Sequence, residues 1–243
     1  MDNWAKLLTA VAAVLSAVAW PLALFLTALL FRDALRSAIE RIPSMLDRVK
    51  TASIAGVQVE LERVADAEKK DKAGKVTPNQ KEVAARIMVE KNDLGSQPLL
   101  KELDRLCLEF DRLRRNLPSG DIRTRAMTRI VVQMRSLSPS LLEFLDTYKG
   151  SGSQGSRLAA VAMMQMVPAS ADPEWLERRF TSDPPFIFYH AALALQNAVD
   201  STDVSEKKKR GIREAVRRAL EIVKSFNDTP DYSTIEVLES IIS

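Results

Sequence analysis

Arg157-Leu158-Ala159-Ala160 runs up to Val167-Pro168, and Asp172-Pro173-Glu174-Trp175-Leu176-Glu177-Arg178-Arg179-Phe180 follows. This is an Ala- and Leu-rich helix, a proline turn and a second helix. The same order recurs on both sides. Arg125-Ala126-Met127 leads to Leu137, then Ser138-Pro139 and Leu141-Leu142-Glu143-Phe144-Leu145. Tyr189-His190-Ala191-Ala192-Leu193-Ala194-Leu195 leads to Val199, and a charged helix comes next. Arg125, Arg157 and His190 are separated by 32 and 33 residues. Self-similarity at such an interval marks stacked helical hairpins, because one hairpin cannot cover its own apolar faces.

Each unit resembles a HEAT-type repeat, over about residues 120–226, and the resemblance implies a helical-repeat domain that binds a protein. Three features depart from that pattern. The interval is shorter than the roughly 40–47 residues usual for such repeats, the last second-helix is long and basic, and His190 stands where an Arg is usual. A non-repetitive bundle would carry the same local signals. Upstream, Thr77-Pro78 supplies a cap and a first-turn proline for a helix to about Lys91, with Val83, Ile87 and Met88 inward. Ser96 and Pro98 open a helix to about Asn116, with Leu99, Leu103, Leu106, Phe110 and Leu113 inward, and Asp121 caps a third reaching about Leu137. Residues 78–243 therefore read as one all-α domain within a mainly α chain.

The preceding segments differ in period. Val57, Val59 and Leu61 alternate with Gln58, Glu60 and Glu62, which predicts a short juxtamembrane strand or hairpin over 51–62. Glu60-Leu61-Glu62-Arg63-Val64-Ala65 is also compatible with a helix. Residues 63–77 are dominated by charge and read as a linker. Between 32 and 50, Leu35, Ile39, Ile42, Leu46 and Val49 follow the a/d spacing of a self-association seam, interrupted by Pro43. The same stripe suits an amphipathic helix lying among lipid headgroups, or one packed on the protein's own body.

Leu7 to Phe31 contains no ionisable side chain over 25 residues. A helix of that length crosses a hydrocarbon core of about 30 Å. A secretory signal is the rival reading, with Ala17-Val18-Ala19 as its cleavage site, but the apolar run continues beyond it to Phe31. We read 1–31 as an uncleaved, single-pass transmembrane anchor. Lys6 alone precedes the span, whereas Arg32, Arg36, Arg41, Arg48 and Lys50 follow it. This asymmetry predicts an inner-membrane protein with its N-terminus outside and its C-terminal domain in the cytoplasm. Ala12/Ser16, Ala13/Ala17 and Ala19/Ala23 are small-residue pairs that allow close approach of two spans, so a homo-oligomer is expected.

Chemistry is sparse. The chain has one His and one Cys, too few for His/Cys metal sites, Ser-His-Asp triads or Cys-His dyads. No G-x-x-x-x-G-K-[ST] loop occurs, and no phosphate cradle or cofactor is read. Carboxylates sit beside basic residues at helical spacing, as in Glu82/Arg86 and Glu214/Arg218, which reads as solvated surface. Cys107 and His190 read as packing residues, and Met163, Met164 and Met166 as core filling. An enzyme is not expected.

Two interaction surfaces are expected instead. Trp175, Phe186, Phe188 and Tyr189 form the densest aromatic segment and suit a protein partner. Lys207, Lys208, Lys209, Arg210, Arg213 and Arg217 form a basic stripe suited to anionic lipid. A formal net charge of only +3 and the lack of interleaved aromatics disfavour nucleic acid. The sequence thus points to a membrane-anchored scaffold or adaptor. The alternative is an oligomerising membrane effector of a bacterial conflict system, which the lack of any charge or pore-lining polar stripe in the span disfavours.

Overall fold

The computed structural model describes residues 21, 54–67, 75–226 and 231–243. The chain divides into two compact units, Met1–Ala52 and Ser53–Ser243. In the first only Pro21 is described. The anchor, the segment 32–50 and its seam of Leu35, Ile39, Ile42, Leu46 and Val49 therefore lie outside the described residues.

Among the described residues every regular element of the second unit is helical. In chain order these are α1 (54–67), α2 (Pro78–Leu94), α3 (Ser96–Asn116), α4 (Asp121–Leu137), α5 (Leu145–Lys149) and α6 (Gln154–Met166). There follow α7 (Pro173–Glu177), α8 (Arg179–Ser182), α9 (Pro185–Asp200), α10 (Glu206–Lys224) and α11 (Tyr232–Ile242). A 3₁₀ segment kinked at Leu141, Ser138–Phe144, and a single 3₁₀ turn, Pro168–Ser170, fill two connections. None of the described helices is long and apolar enough to cross a membrane.

Local chemistry sets the boundaries. Thr77 Oγ1 accepts from Gln80 N at 3.2 Å, and Pro78 occupies the first helical position, where its missing N–H costs nothing. Gly95 has φ of 73°, a left-handed conformation that stops α2 and lets α3 begin at the next residue. Asp172 caps α7, its Oδ1 accepting from Trp175 N at 3.1 Å. Ser205 caps α10 and Asp231 caps α11 in the same way.

The strand or hairpin expected over 51–62 is corrected. Residues 54–67 are helical, and Val57, Leu61, Val64 and Ala65 are all at most 2% exposed. That set follows a helical interval. Val59, which alternation placed on the same face as Val57 and Leu61, is 66% exposed. A two-stranded unit leaves most of its backbone to solvent, whereas a helix satisfies its own and finds cover. Gln58 Nε2 donates to Glu102 of α3 at 3.0 Å, Gln133 of α4 donates to Glu62 at 3.0 Å, and Arg129 of α4 pairs with Glu62 and Asp66. The linker expected from 63 consequently starts no earlier than residue 68.

The middle of the unit is α6. Leu158 to Met164 are seven consecutive residues with no exposed surface, as befits a helix apolar on all sides. It packs against α3, α4, α5 and α9, its contact with α9 being the most extensive in the unit. Ala159, Ala160, Ala191 and Ala192 are wholly buried. The expected inward set of α3 is buried except for half-buried Leu113. Met88 of α2, expected inward, is 44% exposed. α11 lies across α9 and α10 at the C-terminal end.

One approach is unusually close. A β-carbon on Gly155 would lie 2.8 Å from the backbone carbonyl carbon of Cys107, so α3 and α6 touch backbone to backbone there. Gly155→Ala should destabilise the unit by about 3 kcal/mol, at the upper end of overpacking costs. Gly152→Ala, where nothing lies within 4 Å, should change stability by less than about 0.5 kcal/mol. Urea denaturation of both variants checks the contrast.

Candidate functional site

Three polar groupings distinguish the helical unit, and only one of them faces solvent. The first is a column through its interior. Arg135 of α4, Gln165 of α6 and His190 of α9 are each at most 2% exposed. Arg135 Nε donates to Gln165 Oε1 at 2.6 Å, and Gln165 Nε2 donates to the His190 carbonyl at 2.7 Å. Arg135 Nη2 lies 3.2 Å from His190 Nδ1. A guanidinium has only donors, so Nδ1 accepts and the imidazole proton resides on Nε2. Asn197 Nδ2 closes the α6–α9 contact by donating to the Gln165 carbonyl at 3.1 Å. The ring of Phe186 meets the His190 ring edge-on at 4.7 Å.

Burial and the adjacent Arg135 hold the His190 imidazole well below its ordinary range. The unfolded chain takes up a proton near pH 6.5 while the folded chain refuses it, so the unfolded state binds more protons in acid. Stability from this group is complete above that pH and is lost progressively as pH falls below it. His190→Gln retains an acceptor for Arg135 without the titration. Its stability should therefore fall less than that of the parent between pH 7 and about pH 5, as read from denaturation midpoints.

The second grouping centres on Asp183, whose side chain has no exposed surface. Arg157 donates to it from Nε at 3.0 Å and Nη2 at 2.7 Å, and Arg179 Nη1 donates at 2.8 Å. Arg157 also satisfies the Gly152 carbonyl at 2.7 Å, and the Arg179 guanidinium stacks on the Trp175 ring at 4.2 Å. The hub ties the start of α6 to the residue that ends α8 before α9. Asp183→Asn leaves two largely buried guanidiniums short of a charge, and should cost about 3 kcal/mol by urea denaturation.

The third grouping is the surface of α10. Ile212, Ala215, Val216, Ala219, Leu220 and Val223 face the core. Lys208 Nζ donates to the Ala169 carbonyl at 2.8 Å, and Lys209 pairs with Glu206 at 3.4 Å. Arg218 makes a two-pronged pair with Glu177 at 2.8 and 2.6 Å. Lys207, Arg210, Arg213 and Arg217 have no ion pair among the described residues. Of the six basic residues expected to act together, two are thus engaged with the protein itself and four remain.

The aromatic segment is distributed differently from expectation. Trp175 is 5% exposed, with Nε1 donating to the Lys149 carbonyl at 3.3 Å. Phe188 is 2% exposed and stacks on Phe180 at 5.7 Å. Phe186 and Tyr189 are half-buried. These rings are core for the most part. Apolar surface is offered elsewhere, in a shallow trough formed by Lys81, Ala85, Met88, Val89 and Asn92 of α2 with Pro139 and Met166.

Gly150-Ser151-Gly152-Ser153-Gln154-Gly155 spells G-x-G-x-x-G, the glycine spacing of a dinucleotide-binding turn. The context differs from a dinucleotide turn, because a helix rather than a strand precedes it. Asp111 already occupies the helix start, accepting from Ser153 Oγ at 2.6 Å and Gly155 N at 2.8 Å. Among the described residues no three His, Cys, Asp or Glu side chains converge as metal ligands would. Burial pushes the Cys107 thiol up to about 12, so at neutral pH it is not a nucleophile. Compared with known protein families, curated proteins and solved structures, the chain matches none.

Proposed function

We propose that this protein is a membrane-anchored adaptor. Residues 7–31 hold it in the inner membrane with the N-terminus outside, and the body at the cytoplasmic face is a HEAT-like stack that binds a protein rather than catalysing a reaction. The uncharged run and the Lys and Arg that follow it support the anchor and its orientation. Self-association through Leu35, Ile39, Ile42, Leu46 and Val49 belongs to the same reading.

The observation that carries partner binding is the trough on α2. Met88 and Val89 are 44% and 68% exposed, adjacent, and share this concavity with Ala85, Pro139 and half-buried Met166. Two neighbouring large apolar side chains in a concave surface suit the apolar stripe of an amphipathic helix, and methionine adapts to its shape. Lys81 at the rim has no ion pair among the described residues, which favours an acidic residue on that helix.

A photo-crosslinking residue at Met88 in the membrane-embedded full chain should yield an adduct with one soluble cytoplasmic protein. Val89→Asp should reduce that adduct at least tenfold, since a charge in an apolar seat costs more than 1.4 kcal/mol. Adducts of equal yield from exposed Leu108 would count against the trough. Labelling of Ser243 from outside the cell would overturn the orientation.

A further inference from the structure

We infer that the outer row of α10 rests on anionic lipid headgroups, an inference that depends on the membrane-anchored reading above. The residues from Glu206 to Lys224 hold eight Lys and Arg against three Glu. Their local excess exceeds the net charge of +3 carried by the whole chain. Much of it lies in the first turns, at Lys207, Lys208, Lys209 and Arg210. Cations there oppose the helix dipole, whose positive end is the N-terminus. Local stability alone would not place them so, and departures of this kind are expected where a surface has another task.

The fold then selects among these charges. Lys208 and Lys209 are drawn to the Ala169 carbonyl and to Glu206, and Arg218 to Glu177. At 100° per residue Arg210, Arg213 and Arg217 fall within about 60° of one another around the helix. They form one line along its outer side, with Lys207 at its edge. None of the four makes an ion pair among the described residues, and the two carboxylates on that side, Glu214 and Glu221, leave it with a net positive charge. Guanidinium matches a phosphate or carboxylate in a two-pronged geometry that ammonium lacks. A line of three such groups suits a plane of anions better than a single ion.

Packing also decides the depth of the contact. Ile212, Val216, Ala219 and Val223 have no exposed surface, being spent on the core. α10 therefore has no apolar face to insert, unlike an interfacial amphipathic helix. Its contact is electrostatic, held at headgroup level and sensitive to salt.

The test uses the full chain with Glu214→Cys carrying a fluorophore, reconstituted into vesicles of phosphatidylcholine with or without phosphatidylserine. The shielded Cys107 remains unlabelled. Headgroup-borne nitroxide should quench the label in phosphatidylserine vesicles only, and mid-chain nitroxide should not. Raised salt should abolish quenching. Arg210→Gln, Arg213→Gln and Arg217→Gln together should weaken the contact about a hundredfold, from roughly fivefold per charge, while flotation with neutral vesicles stays unchanged.

Equal quenching in neutral vesicles, none in anionic ones, or quenching by the mid-chain probe would overturn the inference. So would tighter retention of the detergent-solubilised chain by duplex DNA through the same arginines. Failure to float with neutral vesicles would instead sink the anchor. In that event recruitment to phosphatidylserine vesicles by the parent and not by the triple variant would uphold the α10 contact, and no recruitment would end it.

Discussion

Gly155 lies directly against the Cys107 carbonyl, and no side chain fits between them. That contact lets α6 sink among α3, α4, α5 and α9 until seven of its consecutive residues lose all solvent. Helices this close gain dispersion across their whole length, but they have no slack for added volume. Much of the unit is arranged around a helix with no solvent-facing side over those seven residues.

A core built from small apolar residues has weak shape preferences, because one alanine resembles another. The column of Arg135, Gln165 and His190 supplies discrimination that apolar packing does not. Sliding α6 by one turn would separate Gln165 from the His190 carbonyl and from Arg135, leaving buried donors without acceptors at about 1–3 kcal/mol each. The Asp183 hub does the same work at the opposite end of α6, through Arg157. Two buried polar contacts about two turns apart thus set the position of α6 against α9. We regard specificity of register, rather than net stability, as the physical role of both.

The surface follows from what the interior has used. Trp175 and Phe188, the large aromatics that would make good interface anchors, are consumed by the core. Outside lie, among other features, a mild apolar trough on α2 and a basic line on α10, both proposed as contact surfaces. They differ in character: one excludes water from methionine and valine, the other keeps its charges hydrated until an anion replaces the water.

Helix ends were readable from the chain alone. Thr77-Pro78, Ser96, Asn116, Asp121 and Leu137 marked boundaries that the structure reproduces closely, because capping and prolines act within a few residues. The helical character after residue 120, and the breaks at its proline turns, were likewise visible. Alternation at 57–61 misled, since period two over five residues also occurs in a helix with one exposed valine. Met88 was placed inward by its spacing and is 44% exposed, because what covers that side of α2 comes from residues far away in the chain. The equivalence of Arg125, Arg157 and His190 by interval did not survive folding, where Arg125 is exposed and Arg135 is the residue that meets His190. Local structure is dictated by neighbours in sequence; which polar groups meet, and which charges stay free, was decided only when distant helices were brought together.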